Sequence, residues 1–308
     1  MRLQNRIAGN RWLLLWGTIW ATLVWFFAGL VAHQEMWIPF VCTVVATYYM
    51  VELNNTNALI RIYSRMVSTA FLLLTTMMAF EFANQPVFII ILCAVVFNFL
   101  TLQTYQDRLA QGRLYYAFLA VGIASFYWVQ ALYFVPVLWI LIAAKLQSMT
   151  FRVFIASLLA LITPYWFYAA YCIYFEDIYV FLNHFAPLGQ FGELVDISSL
   201  TLHQLVTIVY LAVVSIIGII HYLRSRQADR IRTQMLYEIF IIIDLLTWTF
   251  LVLQPQHVNY LMGIIVVNTS PLIAHFIALT HTRWTNIMTL LLISSLLIIT
   301  AYNLWMFS

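Results

Sequence analysis

Glu35 stands two residues after His33, and the pair Glu176-Asp177 precedes His184 by about two helical turns. A carboxylate within reach of an imidazole can take a proton from a hydroxyl nucleophile or share a divalent cation. Glu81 belongs with them, because it ends an apolar run at the same face as Glu35. Separate segments thus deliver acids to one side of the molecule. Glu35 and Asp177 are the expected catalytic pair, with His33, Glu81, Glu176 and His184 as substrate ligands. Like charges brought together repel, so a cavity shared by these acids calls for a divalent cation or a protonated carboxyl.

A second constellation lies deeper. Asp244 follows the run Ile239-Phe-Ile-Ile-Ile, about 12–14 Å along its helix from the inner end at the usual rise per residue. A carboxylate at that depth costs about 2.5–3.5 kcal/mol on insertion scales, so it must face the bundle interior and find a partner. Asn268 and His275, in the next apolar run, bracket it in depth, and Pro271 between them removes a backbone donor. Two readings stand side by side. The three residues form a satisfied polar knot that locks two helices, or they form a binding or proton-handling site near the midplane, where secondary transporters keep theirs.

The elements that must hold these residues are membrane spans. Only 8% of the residues are charged and 64% are hydrophobic, whereas a soluble domain carries about 25% charged residues. Apolar runs recur from end to end, near the length of about 20 residues that crosses a hydrocarbon core. They lie at about 12–33, 37–53, 66–83, 86–105, 114–128, 130–147, 152–175, 201–223, 235–253, 257–279 and 284–306. The expected fold is therefore an all-α polytopic membrane protein of about eleven spans in one domain, 1–308, with a cytoplasmic N-terminus.

The stretch 114–147 decides the orientation. As one helix it would be about 50 Å long, too long for a bilayer without steep tilt. As two short helices hinged near Trp128–Gln130, it lets all fourteen Lys and Arg residues fall on one side, as the positive-inside bias requires. The loops holding Arg61, Arg108, Lys145, Arg224–Arg232 and Arg283 are then all inner. Outer loops carry acids instead: Glu35, Glu81, Glu176, Asp177, Glu193 and Asp196. The net charge of +3 is a matter of orientation in the membrane. With no exposed basic domain, nucleic acid is not an expected partner; the lipid bilayer is.

The outer loop at about 176–200 is long enough to cover something. Ile178, Phe181, Leu182 and Phe185 share one helical face, which fits an amphipathic helix in the interface, and Pro187, Gly189 and Gly192 then end it. This helix is either an interfacial lid anchored by aromatics or the roof of an outward cavity into which Glu176, Asp177 and His184 point. Cys42, Cys93 and Cys172 all fall within spans and read as packed apolar residues. The sequence contains no GxSxG, P-loop, HExxH or dinucleotide fingerprint.

The stretch Arg113-Leu-Tyr-Tyr-Ala-Phe-Leu-Ala-Val-Gly122-Ile-Ala-Ser, the segment Ala131-Leu-Tyr-Phe-Val-Pro136-Val-Leu-Trp139, and the span from Arg152 to Pro164-Tyr-Trp166 resemble the middle of GT-C type glycosyltransferases. The chain is also similar in plan to uncharacterised bacterial inner-membrane proteins. The likeness covers roughly residues 58–175. It implies an envelope-assembly enzyme of the bacterial inner (plasma) membrane that takes a sugar from a polyprenyl-phosphate donor at the outer face. In that family a catalytic acid sits in the first outer loop, where only Glu35 matches by position. The family also holds the donor phosphate with outward cations. Here none falls outside, so the resemblance calls for a divalent metal, His33, His184 or a helix N-terminus in their place. A transporter or flippase built on Asp244, Asn268 and His275, and a non-catalytic scaffold, are the competing classes.

Overall fold

The computed structural model describes residues 3–175, 177–192, 195 and 200–307, and among these it is helical throughout, with no strand. The helices are α1 Leu3–Ala8, α2 Leu13–Phe27, α3 Trp37–Asn57, α4 Met66–Met77, α5 Gln85–Leu102, α6 Gln111–Tyr127, α7 Val135–Leu141, α8 Phe151–Phe175, α9 Ile178–Asn183, α10 Leu202–Ser225, α11 Ile231–Leu253, α12 Val258–Leu279 and α13 Arg283–Phe307. Eight helical segments are long and apolar enough to cross a membrane, and α2 and α4 are shorter apolar helices. The chain is in class a multi-pass helical membrane protein. Glu176, Glu193 and Asp196 lie outside the described residues.

The stretch 114–147 folds back on itself. α6 ends at Tyr127, Trp128 is extended, a tight turn covers Val129–Phe134, and Pro136 opens α7 in the first turn, where its missing N–H costs nothing. Phe118 and Trp139, nearly equidistant from the break, then meet with ring centroids 6.3 Å apart. At the far end the Gln106 N–H donates to the Leu146 carbonyl at 2.7 Å, and Thr104 and Ser148 share a hydroxyl contact at 3.2 Å. The returning limb therefore comes back to the loop from which α6 started.

The basic loops converge on one end of the bundle. Arg61 reaches Asp229, Arg232 donates to Asn57, Lys145 and Arg226 share Glu238, and Gln4 bonds to Thr280 and the Ile277 carbonyl. The opposite end gathers the remaining turns. Gln85 donates to the Glu35 carbonyl, Gln130 to Pro187, Tyr133 to Leu188, and Gln204 to Asn259.

α12 is the axis. Inside its most apolar window 94% of residues are buried, against 28% for α8 and α13, which present Trp166, Phe167, Tyr174 and Trp305 outward. A helix buried all round must have every polar group answered by a neighbour, and α12 carries Asn268, Thr269, Ser270 and His275. α10 approaches it closely at Gly218, where a Cβ would sit 2.9 Å from Leu272 Cβ and 3.1 Å from its backbone carbon. Small residues at such crossings let backbones approach in membranes, where packing replaces the hydrophobic drive. α6 meets α8 in the same way at Gly122, where a Cβ would sit 3.2 Å from the Leu161 carbonyl oxygen.

Candidate functional site: two buried aspartates along the central helix

Asp244 lies thirteen residues into α11 and nine from its end, which places it about 20 Å and about 14 Å from the two helix termini. It is fully buried. Ser215 of α10 donates to Oδ2, Thr269 of α12 donates to Oδ1 at 3.2 Å, and the Trp248 indole, one turn on, also serves the carboxylate. No ion pair among the described residues involves it. The expectation of an inward-facing, hydrogen-bonded Asp244 holds. Its expected partners, Asn268 and His275, do not: each serves another group.

Asn268 points away from Asp244, because adjacent helical residues are rotated by about 100°. Its amide donates to the Ile264 carbonyl at 2.8 Å and its oxygen accepts from Asn98 of α5 at 3.4 Å. This pair of carboxamides borders a half-open cavity of about 510 Å³ whose other walls are apolar, among them Ile90, Phe97, Val121, Leu138, Ile243 and Ile264. Ile243 is the neighbour of Asp244, so cavity and carboxylate share one depth. Phe134 lines this cavity and also a second hollow of about 460 Å³, formed with Tyr133, Leu246, Thr249, Phe250 and Leu253.

His275 lies about 9 Å along α12 from Thr269, at the basic end. Its Nε2 is 3.0 Å from Oδ2 of Asp229, whose Oδ1 is 2.9 Å from Arg61 Nε. Asp229 and His275 have fully buried side chains, while Arg61 is 44% exposed, so the guanidinium seals the carboxylate from water. Three rings close around the imidazole, with centroids 5.1 Å away for Tyr237, 5.2 Å for Tyr222 and 5.3 Å for His221. The sequence does not single out Asp229. It reads there as one acid among four arginines of a solvated loop, and its burial arises because the turn at 226–229 folds over the end of α12.

The acids of the opposite end are scattered. Glu35 and His33 are exposed in the turn before α3. Glu81 is buried at 3% exposure in the turn after α4, accepts from Asn84 at 2.8 Å, and is pushed up to about 7 by desolvation, against which the Asn84 bond acts. Asp177 is exposed and caps α9 by accepting from the Tyr179 N–H. α9 lies on the end of α8 as an aromatic-anchored cover: Phe181 meets Tyr168, Phe185 meets Tyr165, and His184 packs on Phe126. Burial lowers the His184 pKa, and its Nε2 finds no partner. This cover sits over α6 and α8, whereas Glu35 belongs to the turn joined to α5. No contact joins Glu35 to Asp177, and neither lines the cavities described above. Among the described residues no three His, Cys, Asp or Glu side chains converge on one point.

Compared with family models, curated proteins and solved structures, the chain gives no match.

Proposed function

We propose that this chain is a transporter or flippase of the bacterial inner membrane that handles a lipid-linked substrate in envelope assembly. The basic end is cytoplasmic, the N-terminus lies on that side, and the chain crosses about eleven times, counting α2, α4, α6 and the α7 limb. The observation that carries the reading is the half-open cavity at mid-depth, apolar on all sides except for Asn98 and Asn268. A long apolar chain such as a polyprenyl tail would enter past Phe134, and the paired carboxamides would meet its first polar group. Native mass spectrometry of the purified protein tests this: a lipid should copurify, and Ala131→Trp, which fills the cavity, should release it. Equal lipid in both proteins would sink the reading.

A glycosyl-transfer step from a polyprenyl-phosphate donor draws support from Glu81. A carboxyl held near neutrality is suited to general acid or base work, and its turn leads directly into Gln85, which holds the Glu35 segment. Under this second reading Glu81→Gln abolishes sugar transfer and leaves lipid binding intact. Under the transport reading the same substitution leaves translocation unchanged.

A further inference from the structure

We propose that Asp244 is a proton-loading site, filled from the basic end by a file of polar side chains along α12; this rests on the transport reading and names its coupling ion. A carboxylate in the bilayer interior is tolerated when a cation pairs with it or when it is neutral. Asp244 has no cation. The elements packed around it bring Ser215 from α10, Thr269 from α12 and Trp248 from its own helix. Lys145 is paired with Glu238 and His275 with Asp229. Two hydroxyls suit both states, since each can donate to a carboxylate or accept from a carboxylic acid. Uptake breaks an O–H bond of a hydronium ion in water at the basic end and forms one on a carboxylate oxygen of Asp244, and release breaks that bond and returns the proton to water.

The route runs through rings and hydroxyls gathered at the basic end of α12. His221 is half-buried at the basic end and faces His275. His275 Nδ1 and the Tyr222 hydroxyl are buried and unpartnered, on rings whose centroids are 5.2 Å apart. Tyr237 stacks on Tyr222 at 4.4 Å, and its hydroxyl lies 3.4 Å from the Leu59 carbonyl and 3.5 Å from that of Pro271, two residues before which stands Thr269. Infrared difference spectroscopy of the reconstituted protein tests the proposal. The wild type should show a protonated-carboxyl band that titrates with pH and is lost in Asp244→Asn, and Tyr237→Phe should slow its response to a pH jump at least several-fold. Should Asp244→Asn fail to fold, Ser215→Ala must shift the midpoint of the same band. Absence of the band, a band that never titrates, or an unchanged midpoint in Ser215→Ala would overturn the site, and an unchanged rate in Tyr237→Phe would overturn the route. Lipid copurification is scored separately, so failure of the transport reading remains distinguishable from failure of the proton site.

Discussion

Asp229 is met by a guanidinium and an imidazole; Asp244, fifteen residues later and equally buried, is met by two hydroxyls and an indole. The first arrangement is electrostatically closed. It ties the α3–α4 loop, the α10–α11 turn and α12 together, and the charge on Asp229 has nowhere better to go. The second is open, since hydroxyls solvate a charge or a proton without committing to either. The difference separates a fastener from a site. A buried ion pair is strongly destabilised when one partner goes, whereas a hydroxyl-bound carboxyl can be replaced by its amide with little cost to the fold.

The sharpest way to break this comparison is Arg61→Met. It leaves the Asp229 carboxylate buried with only His275, and we expect a loss of about 2–3 kcal/mol, at or below the low end for buried pairs because Arg61 is half in water. Thermal unfolding in detergent measures it, and an unchanged midpoint would mean that the pair is ornamental. Next in size is Gly218→Ala. Its methyl would meet the Leu272 backbone at 3.1 Å, so α10 must withdraw, at about 1.5 kcal/mol for an overpacked contact. Ser215, one turn away, would move off Asp244, and the same unfolding experiment would find the two substitutions Gly218→Ala and Ser215→Ala less than additive.

Glu81 offers a third, milder case, a buried carboxyl in the turn after α4 that accepts from Asn84 and lies near Tyr260. Its folded-state pKa of about 7 lies above the ordinary 4.5, so the folded state holds the proton more tightly than the unfolded chain. Stability from this group is therefore complete at acidic pH and lost as pH rises from 4.5 to about 7. Glu81→Gln should flatten the pH dependence of the unfolding midpoint within that window and nowhere else. The smallest effect is expected from Asp244→Asn, within about 1 kcal/mol of wild type. A loss as large as that of Arg61→Met would show that Asp244 is a fastener too.

Much of this was legible in the sequence, for reasons that also explain the gaps. The break at Trp128 follows from helix length and loop charge, which act globally. The depth of Asp244 follows from counting residues. Its partners do not, because hydroxyls in apolar helices usually bond back to their own turn, as Thr43, Thr75, Thr247 and Thr300 do here. Nothing in the sequence marks Ser215 and Thr269 as the ones that reach across. Depth alone points to Asn268 and His275, whereas facing depends on rotation. Asp229 stayed hidden because an acid among arginines suggests solvent. Its one distinguishing mark was that four cations flanked a single carboxylate.

The order of the chain gives α12 a history as well as a position. Asn98, Ser215 and Asp244 at its sides, and Arg61 and Asp229 at its end, all precede it in the sequence. A segment bearing Asn268, Thr269, Ser270 and His275 is a reluctant passenger when it leaves the ribosome alone, because its polar groups face lipid. Here the groups that answer them have already been synthesised when α12 emerges. Assembly of the bundle is then a matter of docking one late helix into a waiting socket, and shortening the chain after α11 should leave a socket that is exposed and unstable rather than a smaller version of the same protein.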